Sequence, residues 1–251
     1  LNESPRGCAP ALRALRDVAV LLPLLLLAMA SDSTAQAPAT PLIQIGSPDS
    51  LHSTALDERR HFWIHLPTSF GQNAQQRYPV IYLLDGGALL GGLAAVQEFY
   101  YQFRLPEMIV VAISNADNRT RDLTPTVVTS RHGMTVPASG GAGTFLRFLE
   151  EELIPHIDSS FPTTPHRVLI GHSYAGLFAI HTLANRPGLF SNFVAIDPSL
   201  DWDDGRWLSE TLPKIHRLAA PTPGRSPTGL HLSVANEIVR FSDQLTVDDV
   251  D

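Results

Sequence analysis

The chain has 251 residues, of which 44% are hydrophobic and 17% are charged, and its formal net charge is −7 at pH 7. This composition is that of a globular protein long enough to build one sizeable core. Because the balance is acidic and no basic surface run is present, the composition argues against a nucleic-acid or anionic-lipid partner. No Cys/His cluster has zinc-like spacing, so a structural metal is not expected.

The N-terminal residues have the pattern of a secretory signal. Arg13 and Arg16 precede an apolar run from Val18 to Ala30, which is too short to span a bilayer. We therefore predict that residues 1–30 are a signal peptide, and the alternative is an uncleaved membrane anchor. Signal removal would leave no stable membrane insertion and a periplasmic or secreted protein.

The chain after the predicted signal is organised as a leader and one domain. Residues 31–41, rich in Ala, Ser, Thr and Pro, are predicted to be a flexible leader. Residues 42–251 form the predicted domain. Cys8 lies in the signal, so the exported protein would have no cysteine and would depend on its core for stability.

Within the domain, apolar strands alternate with helical patterns. Strands are predicted at 61–66, 78–84, 108–113, 167–170, 193–196 and 230–235, and helices at 88–103, 144–157 and 174–184. The intervening stretch 114–143, rich in Asn, Asp, Thr, Gly and Pro, is predicted to be a long loop, either functional or disordered. The alternation predicts an α/β fold with a mostly parallel sheet and helices on both faces.

The stretch Gly171-His-Ser-Tyr-Ala-Gly176 carries the strongest functional signal. An apolar strand runs into it and a helical pattern follows, which is typical of a nucleophile elbow. The turn crowds the backbone, so small residues such as Gly171 and Ala175 are needed around the serine. We predict that Ser173 is a catalytic nucleophile, and the alternative is a chance match to a common short pattern.

A serine nucleophile needs hydrogen-bond donors for the oxyanion that forms when it attacks a carbonyl. One donor is predicted to be the backbone N–H of Tyr174, the residue after the nucleophile. The other is expected from the loop after an earlier strand of the sheet, which here is the predicted strand 78–84. That loop is Asp85-Gly86-Gly87, and we assign the donor to Gly87. The alternative for this loop is a plain turn after a buried strand.

The remaining catalytic groups expected of such a site are an acid and a histidine. Glu237 follows the last predicted strand and is the predicted acid, with Asp197 as the alternative; either is otherwise a solvated carboxylate at a strand end. In the fold that is typical of a nucleophile elbow, the catalytic histidine follows the acid along the chain. None of the ten histidines of this chain follows Glu237. His132 on the long loop is the best of those present. The simpler expectation is that the C-terminal end is missing, that the histidine lies beyond Asp251, and that this chain alone is inactive.

Six motifs in this order resemble the putative esterase family of α/β-hydrolases, which includes esterase D, feruloyl esterases, ferric-siderophore esterases and the mycolyltransferase antigens. They lie at 56–59, 78–86, 113–125, 148–155, 171–178 and 197–200. The resemblance implies an α/β-hydrolase fold with Ser173 as nucleophile, Gly87 and Tyr174 as the oxyanion hole and Glu237 as the acid.

The run 113–125 is most similar to the siderophore-esterase branch of that family. That branch tends to have Ser at 197 and paired Trp at 201–202, whereas this chain has Asp197 and Asp201-Trp202. At these positions the chain departs from the siderophore-esterase pattern, so the resemblance does not carry over that branch's residues at 197 and 201.

Two further residues are candidates for substrate binding. Arg121, with its neighbours Arg119 and Asp122, is suited to an anionic substrate group, and the alternative is an Arg–Asp pair that pins the long loop. Trp202, with Trp207, is suited to lining an acyl or aromatic pocket, and the alternative is core packing.

The leading hypothesis is an exported serine carboxylic-ester hydrolase that forms an acyl-enzyme on Ser173 and needs no cofactor. Its expected partner is a small-molecule ester, siderophore-like or other. The alternatives are a non-catalytic binding protein that lacks the triad histidine, and an acyltransferase. The sequence makes no prediction of oligomeric state.

Overall fold

The fold is organised around a seven-stranded sheet. The computed structural model describes residues 45–101, 105–219 and 228–234. The strands of the chain are β1 (Ser47–Ser53), β2 (Glu58–His65), β3 (Tyr78–Leu83), β4 (Ile109–Ile113), β5 (Ser130–Arg131), β6 (Met134–Thr135), β7 (Thr163–His172), β8 (Asn192–Ile196) and β9 (Gly229–Ser233). The sheet has the order β1-β2-β4-β3-β7-β8-β9, and β5 and β6 form a separate small hairpin.

The direction of the strands confirms a mostly parallel sheet. The pairs β1–β2 and β2–β4 are antiparallel, and the other four pairs are parallel. All parallel strands therefore end at the same edge. Because β3, β7 and β8 are neighbours, the segments that follow Leu83, His172 and Ile196 leave the sheet side by side.

Helices cover both faces of the sheet, as the alternating pattern predicts. They are α1 (Gly86–Tyr101), α2 (Arg119–Leu123), α3 (Ala142–Arg147), α4 (Ile154–Ser160), α5 (Tyr174–Asn185) and α6 (Arg206–Ala219). A π-helical segment (Phe148–Leu153) joins α3 to α4, and a 3₁₀ segment (Trp202–Gly205) precedes α6.

The central strands are buried on both sides, which explains their continuous apolar sequences. Successive residues of β3 point to opposite faces: Val80 and Tyr82 join the larger core cluster, whereas Ile81 and Leu83 join a smaller one. Leu90 of α1 belongs to the smaller cluster, and the aromatic rings of the helices on the other face belong to the larger one. The two clusters fix the sheet between its helical layers.

The region 114–143 is more ordered than a simple loop. It contains α2 and the hairpin of β5 and β6. The helix predicted at 144–157 begins earlier, at Ala142, and its helical run continues to Ser160 through the π-helical segment. A proline inside an α-helix lacks the N–H donor and clashes with the carbonyl four residues earlier. Pro155 stands in the first turn of α4, so the widened segment before it accommodates the ring.

Several predicted features lie outside the described residues. These are the signal at 1–30, the leader at 31–41 and the acid Glu237. Among the helices that the structure describes, none combines the length and apolar character required to cross a membrane.

Candidate active site

Ser173 occupies a sharp turn between a strand and a helix. Strand β7 ends at His172 and α5 begins at Tyr174, and the backbone of Ser173 between them has φ 60° and ψ −120°. A positive φ is uncommon for a residue with a Cβ and is strained, so surrounding contacts must hold it. Ser173 N donates to Ile196 O (3.0 Å), and Leu177 N donates to Ser173 O (2.9 Å). This is the backbone geometry expected of a nucleophile elbow.

Glycines allow the helix to lie against the strands at this turn. A Cβ on Gly171 would lie 2.8 Å from Ala175 Cβ and would overlap the Ala175 carbonyl. A Cβ on Gly176 would lie 3.1 Å from both Ile196 O and Pro198 Cα. The small residues identified in the sequence therefore have a steric role on both sides of the serine.

The Ser173 hydroxyl lies beside a second serine that follows β8. Ser173 Oγ is 3.3 Å from Ser199 Oγ, and Ser199 N donates to Ser173 O (3.2 Å). Ser199 was not predicted as a site residue, since its only signal in the sequence was its place in the motif at 197–200. In residues 45–101, 105–219 and 228–234, no histidine hydrogen-bonds Ser173 Oγ.

The turn Asp85-Gly86-Gly87 leaves the sheet next to the elbow, because Leu84 N donates to Ile170 O of the neighbouring strand (3.0 Å). Helix α1 begins at Gly86. N–H groups in the first turn of a helix have no acceptor within the helix, so those of Gly87 and Tyr174 are both suited to an anion. A Cβ on Gly86 would lie 2.6 Å from Ala112 Cβ, whereas the nearest atom to one on Gly87 is 3.7 Å away, in the Trp63 ring. The oxyanion-hole assignment is compatible with this placement and stays a prediction.

An arginine lies between the two turns. Arg119 Nε is 3.1 and 3.0 Å from the two Asp85 carboxylate oxygens, and Arg119 Nη2 is 2.9 Å from one of them. Arg119 Nη2 also donates to His172 O at 3.5 Å, and Arg119 Cζ lies 5.1 Å from the centroid of the Tyr174 ring. Arg119 is thus the arginine of α2 that contacts the elbow.

Tyr174 is held from its other side by the β5–β6 hairpin. Arg131 Nη1 donates to Tyr174 Oη (2.8 Å), its Cζ lies 5.5 Å from the same ring, and its guanidinium also pairs with Asp201. Beside these contacts is a cleft of about 410 Å³. Its lining comes from α2, the hairpin with the two residues after it, and the first residue of α5: Thr120, Arg131, His132, Met134, Thr135, Val136, Pro137 and Tyr174. The hairpin therefore forms one wall of a cleft that Tyr174, the residue after Ser173, also lines.

Arg121 forms ion pairs with Glu58 and Asp122, which is the alternative given for it in the sequence analysis. Arg121 Nη2 is 2.7 Å from both Glu58 Oε1 and Asp122 Oδ1. Asp122 is fully buried, and Arg60 Nη1 lies 2.8 Å from its other oxygen. Burial raises the pKa of Asp122 against the opposing arginines, and the Arg121 hydrogen bond lowers the pKa of Glu58. These groups tie α2 to β2, which supports the pairing alternative, and substrate binding by Arg121 stays a prediction.

For Trp202 the structure shows core packing. Its side chain has 0% exposure, and its Nε1 donates to Thr126 Oγ1 (3.1 Å). Its ring packs edge-on to Tyr174, with centroids 5.3 Å apart. A fully buried ring cannot contact a substrate, so the prediction that Trp202 lines the pocket is corrected: it supports Tyr174 from behind.

Two of the described histidines, His132 and His181, differ in environment. His132 lines the cleft in the turn of the hairpin, with Nε2 3.7 Å from Asp201 Oδ2. His181 packs against Phe178 and Trp207, and burial lowers its pKa to about 4. His181 is therefore a neutral core residue at neutral pH.

Asp197, the alternative acid, follows β8 at the same edge of the sheet as Ser173, with φ 42°.

Solved structures with the same fold support the α/β-hydrolase assignment. The chain is similar to an IroE-like serine hydrolase from Shewanella oneidensis, with a TM-score of 0.65 and 36% identity over 68% of this chain and 56% of that one. It is also similar to the siderophore hydrolase EstA from Aspergillus nidulans, with a TM-score of 0.65 and 26% identity over 78% of this chain and 72% of that one.

Characterised relatives are similar over a shorter stretch. The ferri-bacillibactin esterase BesA of Bacillus subtilis is 32% identical over 152 residues, which is 53% of this chain and 52% of BesA. The siderophore triacetylfusarinine C esterase of Aspergillus fumigatus is 33% identical over 146 residues, or 53% of this chain and 48% of that protein. The chain spans about half the length of these curated relatives. The model of the family described as "Putative esterase" matches residues 53–223, and the chain belongs to that family of α/β-hydrolases.

Proposed function

We propose that the protein is a serine carboxylic-ester hydrolase with Ser173 as its nucleophile. The observation that carries the proposal is the backbone of Ser173, held at φ 60° between a parallel strand and the first turn of a helix. Holding a strained turn requires the contacts described above, and such strain is typical of functional sites. Membership of the esterase family supports the same reaction class.

In the proposed reaction, Ser173 Oγ bonds to the ester carbonyl carbon and its proton passes to a base. The carbonyl oxygen becomes an oxyanion, for which Gly87 and Tyr174 N–H are the proposed donors. The carbon–oxygen bond to the alcohol then breaks, and water releases the acid from the acyl-enzyme. Glu237 remains the proposed acid, and the proposal assigns the base to none of the described histidines.

The proposed substrates are small esters, siderophore-like or other. The support is twofold: relatives at 32% and 33% identity are named a ferri-bacillibactin esterase and a siderophore esterase, and a cleft of about 410 Å³ lies beside Tyr174. A cleft of this volume is in the usual range for small-molecule sites. The proposal includes export, which rests on the apolar run of residues 18–30.

The proposal is tested by covalent labelling of the full-length protein with a fluorophosphonate, together with hydrolysis of p-nitrophenyl acetate. Label is expected on the peptide that contains Ser173, and Ser173→Ala should abolish the label and reduce turnover by at least ~10³-fold. Ser209→Ala is the matched control, because Ser209 is an exposed serine of α6 whose hydroxyl donates to Gly205 O, just before that helix. Turnover that survives in Ser173→Ala would overturn the assignment, and absence of label would favour a non-catalytic binding protein.

A further inference from the structure

The guanidinium of Arg119 reaches both turns that carry the proposed oxyanion donors. On one side it forms a two-pronged ion pair with Asp85, with three N–O distances between 2.9 and 3.1 Å. Asp85 directly precedes Gly86 and Gly87. A bidentate arginine–carboxylate pair fixes the orientation of the two groups as well as their distance. It therefore restrains the side chain of Asp85, the first residue of this turn.

The backbone of Asp85 is restrained as well. Asp85 has φ 52°, a strained value for a residue with a Cβ. Its N–H donates to Oδ1 of Asn115 (3.3 Å), a residue after β4 with 2% exposure. The direction of the Gly87 N–H follows from the torsions of Asp85 and Gly86. The Asn115 amide and the Arg119 guanidinium therefore hold this residue at its N–H and at its carboxylate.

On its other side Arg119 contacts the elbow. Nη2 donates to the carbonyl of His172, the residue before the serine, and Cζ lies 5.1 Å from the ring centroid of Tyr174, the residue after it. Arg131 of the hairpin donates a hydrogen bond to the hydroxyl of the same Tyr174 side chain. Tyr174 is the first residue of α5, so fixing its ring restrains the N–H proposed as the second donor.

We propose that Arg119 is a positioning residue that sets the separation of the Gly87 and Tyr174 N–H groups. This inference rests on the ester-hydrolase function proposed for Ser173. Lysine is a poor substitute, since it is a point charge that cannot form a two-pronged pair or stack its plane on a ring. Because the Arg119 side chain is 34% exposed, its ion pair contributes little to global stability. Its substitution therefore affects catalysis more than folding.

The test uses Arg119→Lys in the full-length protein, with Arg186→Lys as the matched control. Arg186 also pairs with a carboxylate, Glu150 (2.8 Å), but follows the far end of α5, ~18 Å of helix from Ser173. We expect Arg119→Lys to lower kcat for p-nitrophenyl acetate about 10²-fold with KM little changed. Affinity for a boronic acid that mimics the tetrahedral intermediate should fall by a similar factor. The melting temperature should change by no more than about 4 °C.

A double-substitution cycle separates positioning from a direct substrate contact. Asp85→Asn should reproduce the loss, and Arg119→Lys combined with Asp85→Asn should add little to it, because both changes break one pair. Additive losses, a change confined to KM, or kcat within threefold of the unmodified protein would each overturn the proposal. Arg186→Lys is expected to leave all these values unchanged.

Hydrogen exchange does not depend on turnover. It can therefore show whether the positioning role of Arg119 is wrong or whether the proposed esterase function is wrong. Hydrogen exchange of the peptides covering 84–90 and 172–178 should be faster in Arg119→Lys than in the unmodified protein. Unchanged exchange in both peptides would contradict the positioning role even if Ser173 is the nucleophile. Faster exchange in a protein that takes no fluorophosphonate label would support the positioning of the turns and reject the esterase assignment.

Discussion

Adding one methyl group at Gly171 should disrupt the elbow through steric overlap alone. The Cβ of Gly171→Ala would lie 2.8 Å from Ala175 Cβ and inside contact distance of the Ala175 carbonyl. Carbon atoms pack best at about 3.5–4.0 Å, so the first turn of α5 must move by about 1 Å. Overpacking of this kind costs about 1–3 kcal/mol. Because the obstacle is backbone, we expect the upper end, about 3 kcal/mol, which lowers Tm by roughly 6–12 °C.

The same displacement should affect catalysis, because the first turn of α5 carries Ser173 and Tyr174. A misplacement of about 1 Å can cost ~10²-fold in rate. The assays are urea denaturation followed by circular dichroism, and the rate of fluorophosphonate labelling. The control is Gly188→Ala, since a Cβ there meets no atom within 4 Å. It should stay within about 0.5 kcal/mol of the unmodified protein.

Two results together would contradict this prediction: Gly171→Ala as stable as Gly188→Ala, and labelling of Gly171→Ala at the unmodified rate. Together they would mean that the first turn of α5 adjusts freely, so that the small residues around Ser173 are not a steric requirement. A loss of stability with a normal labelling rate would show that the overlap weakens packing without displacing Ser173. That result would contradict the predicted effect on catalysis.

Three further predictions concern packing and pH. Burial lowers the pKa of His181 to about 4 from 6.5, so as the pH falls the unfolded state binds the proton first. About 3 kcal/mol of stability should therefore be lost between pH 6.5 and pH 4, and urea denaturation of His181→Leu should show that this loss is removed. Trp202→Ala should cost about 4 kcal/mol and Trp202→Phe clearly less, measured by thermal unfolding; equal costs would contradict its packing role. The Arg121 hydrogen bond lowers the pKa of Glu58, so ionised Glu58 contributes stability that is lost as the pH falls below about 4.5. Glu58→Gln should cost about 1 kcal/mol at pH 7 and less at pH 3, whereas a cost that rises towards acid would contradict the assigned pair.

The parallel strands were predictable because their sequences follow from burial on both faces. Strand β4, Ile109–Ile113, is buried at all five positions and reads as one apolar run. Strand β1, Ser47–Ser53, was missed because it is an edge strand with mostly polar residues. Helix α2 and the β5–β6 hairpin were missed because elements of five and two residues are too short to show a periodicity.

The site was predictable where its chemistry is local in sequence. The elbow depends on neighbours such as Gly171 and Ala175, which stand beside Ser173 in the chain. Ser199 and Arg131 reach the site across 26 and 43 residues of sequence, so only the folded chain brings them there.

The arginines and the tryptophan show the limit of the sequence argument. Arg119 and Arg121 lie two residues apart in α2, and only packing decides that the first contacts the elbow while the second pairs with Glu58. Trp202 is of a residue type that often lines ligand pockets, but its neighbours bury it completely.

The most direct test of the central claim is a crystal structure of the full-length protein after reaction with a small fluorophosphonate. We predict a phosphorus–oxygen bond to Ser173 Oγ and a phosphoryl oxygen about 2.7–3.1 Å from the backbone N atoms of Gly87 and Tyr174. An adduct on another residue would contradict the assignment of the nucleophile. An adduct on Ser173 with its phosphoryl oxygen directed away from both N–H groups would contradict the oxyanion hole.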